Sequence, residues 1–150
     1  MIRAEKYIKS FPIPIINCIK SPQNSPTTLI ELKGHFTVFL NSALQLTDAE
    51  IKTALCHEYG HISTGCTHKV SSALDIVSKH EYKANAYAYQ TLMPLTDIYG
   101  LIDMGITDPY EMADKLELPI NFFIKGIEYW TNHDEQFRNY MWRLRNEETF

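Results

Sequence analysis

"TDAEIKTALCHEYGHIST", residues 47–64, decides how this chain is read. Thr47, followed three positions later by Glu50, predicts a capping box, in which hydroxyl and carboxylate each satisfy a backbone N–H left open by the first helical turn. Ile51, Leu55 and Ile62 then recur at helical spacing. On that helix His57 and His61 share a face, and Glu58 comes directly after the first of them. Two imidazoles on successive turns can grip one zinc ion. The neighbouring carboxylate is placed to take a proton from attacking water, which is the chemistry behind the spacing H-E-x-x-H. The pattern also arises by chance, so a third ligand has to decide between a metal-binding helix and an ordinary one.

That ligand is sought in "KHEYKANAYAYQTLMP", residues 79–94. A second helix is expected over Asp75–Met93, stopped by Pro94. Glu81, Ala84, Asn85, Ala88 and Leu92 form one stripe along it, with a carboxylate at its head and small residues that allow close approach. Glu81 is the candidate third ligand, and Asn85, one turn on, is placed to hold the second nitrogen of a ligand histidine. Two readings compete. Glu81 is also what a plain amphipathic helix carries in its first turn. Cys66 and His68 could instead close a four-ligand structural site with His57 and His61. Gly65 and His68 also approximate the longer H-E-x-x-H-x-x-G-x-x-H pattern, each one residue too late. Two histidines and a carboxylate suit Zn²⁺, and Mn²⁺ or Fe²⁺ also fit such a set.

The remainder supplies the frame. The N-terminal segment predicts a short helix ended by Pro12 and Pro14. "TLIELKGHFTVFL", residues 28–40, predicts a hairpin turned at Lys33-Gly34, with Phe36, Val38 and Leu40 on one face. After Pro94 the pattern predicts three or four short helices, with Thr96 and Asp108-Pro109 as start signals. The fold expected is α+β and a single domain overall. A small N-terminal antiparallel or mixed sheet packs on the two long helices in a core over residues 1–105, and a helical C-terminal segment covers 106–150. Residues 107–130 have helix-turn-helix rhythm, yet the second of those helices offers only Lys125 as a basic contact, so no direct nucleic-acid binding is expected. Tyr129, Trp130, Tyr140 and Trp142 are core or a surface for a protein partner. A chain of 150 residues, 45% hydrophobic and 21% charged, is long enough for its own core. Its net charge of −4 gives no reason to expect binding to nucleic acid or anionic membranes. Three cysteines without framework spacing favour a reducing compartment, and Cys56 reads as core packing. No apolar run reaches the length of a span, so a soluble, cytoplasmic protein is expected.

Taken in order, "HEYGH" at 57–61, E-x-x-A-N-A-Y-A from Glu81 to Ala88 and "LMP" from Leu92 to Pro94 resemble the ImmA/IrrE family of small bacterial and phage metallopeptidases. "HFTVFLNSAL" at 35–44 and "YEMADKLELPINFFIKGIEYW" at 110–130 extend the likeness over about residues 27–130. Tyr59, Tyr87 and Lys83 depart from the family's usual leucine, phenylalanine and second acid, and none of them is a proposed ligand. The resemblance implies zinc held by His57, His61 and Glu81 in a thermolysin-like arrangement, with Glu58 as general base. It also implies a substrate, a helix-turn-helix repressor of a phage, mobile element or stress regulon, whose cleavage relieves repression. Two alternatives stand beside this antirepressor peptidase: a protein that inactivates its repressor by binding alone, and a structural zinc module. An extended substrate segment is expected to add along the strand edge at His35–Leu40, touching His35, Phe36, Thr37 and Val38. His35, His80, Tyr82 and Tyr87 are the candidates for stabilising the oxyanion.

Overall fold

The computed structural model describes residues 4–18, 25–67 and 73–147. The hairpin forms where the alternation places it, with β2 over Thr27–Leu32 and β3 over His35–Asn41. Lys33 and Gly34 both take positive φ (50° and 80°), the two-residue turn whose twist matches that of the flanking strands. A strand the alternation did not signal, β1 over Ile15–Cys18, follows the N-terminal helix α1 (Ala4–Ser10). It runs parallel to β3, so the sheet is mixed and its order is β1-β3-β2. Val38 and Leu40 are buried on the inner face, and Thr27 pairs with Leu40 on that same face.

This order corrects one expectation. β3 is the central strand, and Val38 to Leu40 are paired on both sides, with the Val38 N–H already donating to Pro14 O at 3.0 Å. A substrate strand therefore cannot add along Val38–Leu40. Of the two outer strands, β2 is the one held to the histidine-bearing helix. The Asn41 N–H donates to Pro26 O at 2.9 Å, which fixes the alternation of the antiparallel ladder. Thr28, Ile30 and Leu32 turn their N–H and C=O groups towards β3. Those of Thr27, Leu29 and Glu31 face the outer edge.

Helix α2 covers Asp48–Ser63 and begins with the expected capping box, the Thr47 N–H donating to Glu50 at 2.7 Å and the Glu50 N–H to Thr47 at 3.2 Å. It ends in a reversed turn in which the N–H groups of Gly65 and Cys66 donate to Ile62 O and His61 O, at 3.0 and 2.8 Å. Gly65 has φ 64°, which a side chain would strain. The glycine that approximated a longer metal-binding motif is thus a helix stop. Helix α3, Leu74–Leu92, lies against α2, and the fit is close. A Cβ added at Gly60 would come within 2.7 Å of the Ala84 carbonyl oxygen.

Met1–Leu92 and Met93–Phe150 are two compact units. The second is helical: α4 (Leu95–Asp103), α5 (Pro109–Lys115), α6 (Ile120–His133) and α7 (Glu135–Glu147). Asp108 caps α5 and Pro109 occupies its first turn, as expected. Thr96 does not start α4. Pro94 does, its carbonyl accepting from the Asp97 and Ile98 N–H groups, because an extended Pro94 already sets the chain direction. Ile98, Phe123 and Phe137 are fully buried, Tyr99 stacks edge-on against Phe137, and the Trp130 indole donates to Met93 O at 2.9 Å. Trp142 is exposed, while Tyr140 lies against Phe137 and Tyr99. No helix among the described residues is long and apolar enough to cross a membrane.

Candidate metal centre

Because α2 puts His57 and His61 one turn apart and α3 lies close beside it, three donor groups from two helices converge. The Nε2 atoms of His57 and His61 are 3.1 Å apart. Glu81 reaches both, with one oxygen 3.1 Å from His57 Nε2 and the other 3.2 Å from His61 Nε2. His57, His61 and Glu81 are the cluster that could hold a metal ion among the described residues, with ligand atoms all within 4.8 Å of one another.

The opposite nitrogens are held in turn. His61 Nδ1 donates to the Cys66 carbonyl at 3.1 Å, and since a carbonyl only accepts, this ring carries a hydrogen on Nδ1, which in the neutral ring leaves the lone pair on Nε2. His57 Nδ1 donates to Asn85 Oδ1 at 2.9 Å, giving the same tautomer. With both rings neutral, two lone pairs and a carboxylate face one another, an arrangement that a cation satisfies. The spacing also fits. Tetrahedral ligands about 2.0–2.2 Å from zinc lie roughly 3.3–3.6 Å from one another, close to the 3.1 Å between the two Nε2 atoms and the 3.1 and 3.2 Å from them to the two Glu81 oxygens. The residues therefore fit a divalent ion.

Glu58 follows His57 directly on α2. It is only 8% exposed, and its Oε1 accepts from the Thr27 hydroxyl at 2.7 Å. Glu81 is the open side of the site at 42% side-chain exposure, against 6% for His61. A buried carboxylate one residue along the helix from a histidine of that cluster has the chemistry to accept a proton from water.

The other candidates fall elsewhere. Cys66 contributes its carbonyl, while its thiol donates to Thr64 O at 3.4 Å and stands outside the metal-capable cluster. That removes the sulfur a closed structural site would need, and His68 lies outside the described residues. His35 sits at the hairpin turn, five residues from Thr27 in register, roughly 17 Å along the strand. It is therefore remote along the strand from the Thr27–Glu58 contact. Phe36 and Thr37 are half-buried and Val38 is fully buried, so Val38 presents no side chain to a ligand. Tyr87 packs edge-on against Tyr59, which packs on Phe11, so it serves the core. His80 and Tyr82 flank Glu81 on α3, half-buried and exposed respectively.

Three contributors escaped the sequence reading: Thr27, Gly60 and the Cys66 carbonyl. Gly60, inside the H-E-x-x-H turn and opposite the alanine stripe, carried the one legible signal. Compared with known proteins, the chain matches no family model, no curated protein and no solved structure.

Proposed function

We propose that this protein is a zinc-dependent endopeptidase, with the thermolysin-like division of labour in which two helix-borne histidines and a downstream glutamate hold the ion. The observation that carries the reading is the convergence of His57, His61 and Glu81, with a buried Glu58 directly after His57 in the chain. A bound divalent ion would supply Lewis acidity, making a water more acidic and polarising the carbonyl under attack.

The chain's own groups do the rest. His57 and His61 are pre-oriented by Asn85 and the Cys66 carbonyl, so little reorganisation accompanies binding. Glu58 takes the proton from the attacking water and returns it to the departing amine, the two proton transfers that amide hydrolysis needs. Burial of Glu58 limits competing solvent contact. An extended peptide is best accommodated along the outer edge of β2, where Leu29 and Glu31 offer backbone N–H and C=O groups beside Thr27.

For the substrate, the resemblance of residues 27–130 to peptidases that act on transcriptional repressors supports a helix-turn-helix repressor. The test compares wild type with Glu58→Gln on such a repressor encoded beside this gene, with zinc measured on both proteins. Loss of cleavage by about a thousandfold, within the span expected for a general base, with zinc retained, is the predicted result. Equal cleavage by both proteins would remove Glu58 from the mechanism. Release of repression without cleavage would favour the binding-only antirepressor.

A further inference from the structure

We infer that Thr27 is a positioning residue for Glu58, coupling the edge strand to the proton-transfer group; this rests on the reading of Glu58 as general base. Thr27 and Glu58 are 31 residues apart in sequence, yet their hydroxyl–carboxylate bond is 2.7 Å long and buried. Thr27 is 6% exposed and Glu58 8%. A carboxylate that accepts protons must keep one oxygen aimed at the attacking water, and a free carboxylate rotates about its last bond. A hydroxyl donating to Oε1 stops that rotation and gives the other oxygen one direction.

The donor is itself fixed by the backbone. The Asn41 amide donates to Ser25 O at 3.3 Å, the Asn41 N–H holds Pro26 O, and the Ser25 hydroxyl donates to the Thr27 carbonyl at 2.8 Å. Asn41, at the end of the central strand, thereby anchors the chain just before Thr27. Thr27 also has two directions of use. Its side chain points inward to Glu58, while its N–H and C=O lie on the outer edge of β2, in line with those of Leu29 and Glu31. A peptide paired on that edge would then be held in fixed register with the base. Such an arrangement serves turnover rather than affinity.

The experiment has two arms. In the first, metal-free wild type, Thr27→Val, Glu58→Leu and the double variant are melted. Valine keeps the β-branched shape and removes only the hydroxyl. Thr27→Val should lower Tm in the wild-type background and leave it unchanged or raise it when Glu58 is already leucine, because the hydroxyl has then lost its acceptor. Equal shifts in both backgrounds would overturn the contact. In the second arm, a quenched fluorescent peptide is chosen from a mixed library by wild-type cleavage. Thr27→Val should lose about 10- to 100-fold in kcat, the usual cost of losing a partner behind an active group, with KM and zinc content unchanged. Thr27→Ser, which restores the hydroxyl, should recover kcat to within about threefold, most of that loss. Unchanged kcat in Thr27→Val, a loss confined to KM, or failure of serine to rescue would each overturn the inference. Wild type that cleaves no library member overturns the peptidase reading, and this inference with it.

Discussion

His61 keeps its ring in place because its Nδ1 donates to a carbonyl presented by the turn that stops its own helix. His57 relies instead on a side chain, Asn85, from α3. The two candidate ligands therefore differ in how easily they can be loosened by mutation. Asn85→Ala is expected to weaken zinc binding by about 10- to 100-fold, measured by competition with a chromophoric chelator, while the protein stays folded. Cys56, one residue before His57, tells against a redox role. Burial pushes its thiol up to about 11, with Tyr7 and Thr91 as hydrogen-bonding partners. A protonated, enclosed thiol is a poor nucleophile. Near pH 8 the folded protein should therefore be alkylated first at half-buried Cys18, leaving buried Cys56 and Cys66, as read by mass spectrometry of the digest. Glu81 and Asn85 were legible because helical spacing alone places them one above the other. Thr27 and the Cys66 carbonyl were not. The first acts across a tertiary contact, and the second is a backbone group that every residue carries.

At the scale of elements, the site depends on how closely α2 and α3 approach. Gly60 allows it, and the missing Cβ is the means. Gly60→Ala should force the helices apart, costing on the order of 1–3 kcal/mol in urea unfolding, and should weaken zinc binding as Glu81 recedes. The start of α2 carries a pH dependence of its own. The Thr47 backbone N–H donating to Glu50, with the Thr47 hydroxyl, holds that carboxyl below its ordinary value. A depressed folded pKa means the stabilisation is complete above the unfolded value near about 4.3 and is lost as pH falls through the folded one. Glu50→Gln should therefore destabilise the metal-free protein at neutral pH by about 0.5 kcal/mol, kept small by solvent exposure. That difference should shrink towards zero as pH falls below the folded pKa, as read in thermal melts of both proteins. The capping box, the hairpin turn and the proline stops were readable because each is settled by neighbours in sequence. β1 was not, since four residues become a strand only by pairing with β3, more than twenty positions away. Strand order, and with it which strands lie outermost, is decided by that same pairing.

In the whole molecule, every group assigned to the site comes from the unit that ends at Leu92, and the helical unit from Met93 onwards has a core of its own around Ile98, Phe123 and Phe137. Phe123→Ala should cost about 3–5 kcal/mol in denaturant unfolding, while zinc stoichiometry of the folded protein stays unchanged. The helices of that second unit were legible from their apolar spacing and from Asp108-Pro109. Its role was not, because buried aromatics such as Phe137 and an exposed one such as Trp142 look alike before they pack. The central claim is that His57, His61 and Glu81 together hold one ion. The most direct measurement is zinc stoichiometry and affinity by equilibrium dialysis for wild type, Glu81→Ala and His68→Ala. One zinc per chain in wild type, bound far more weakly in Glu81→Ala and unaffected in His68→Ala, is the predicted result. No zinc in wild type, or zinc that depends on His68 and not on Glu81, would contradict it.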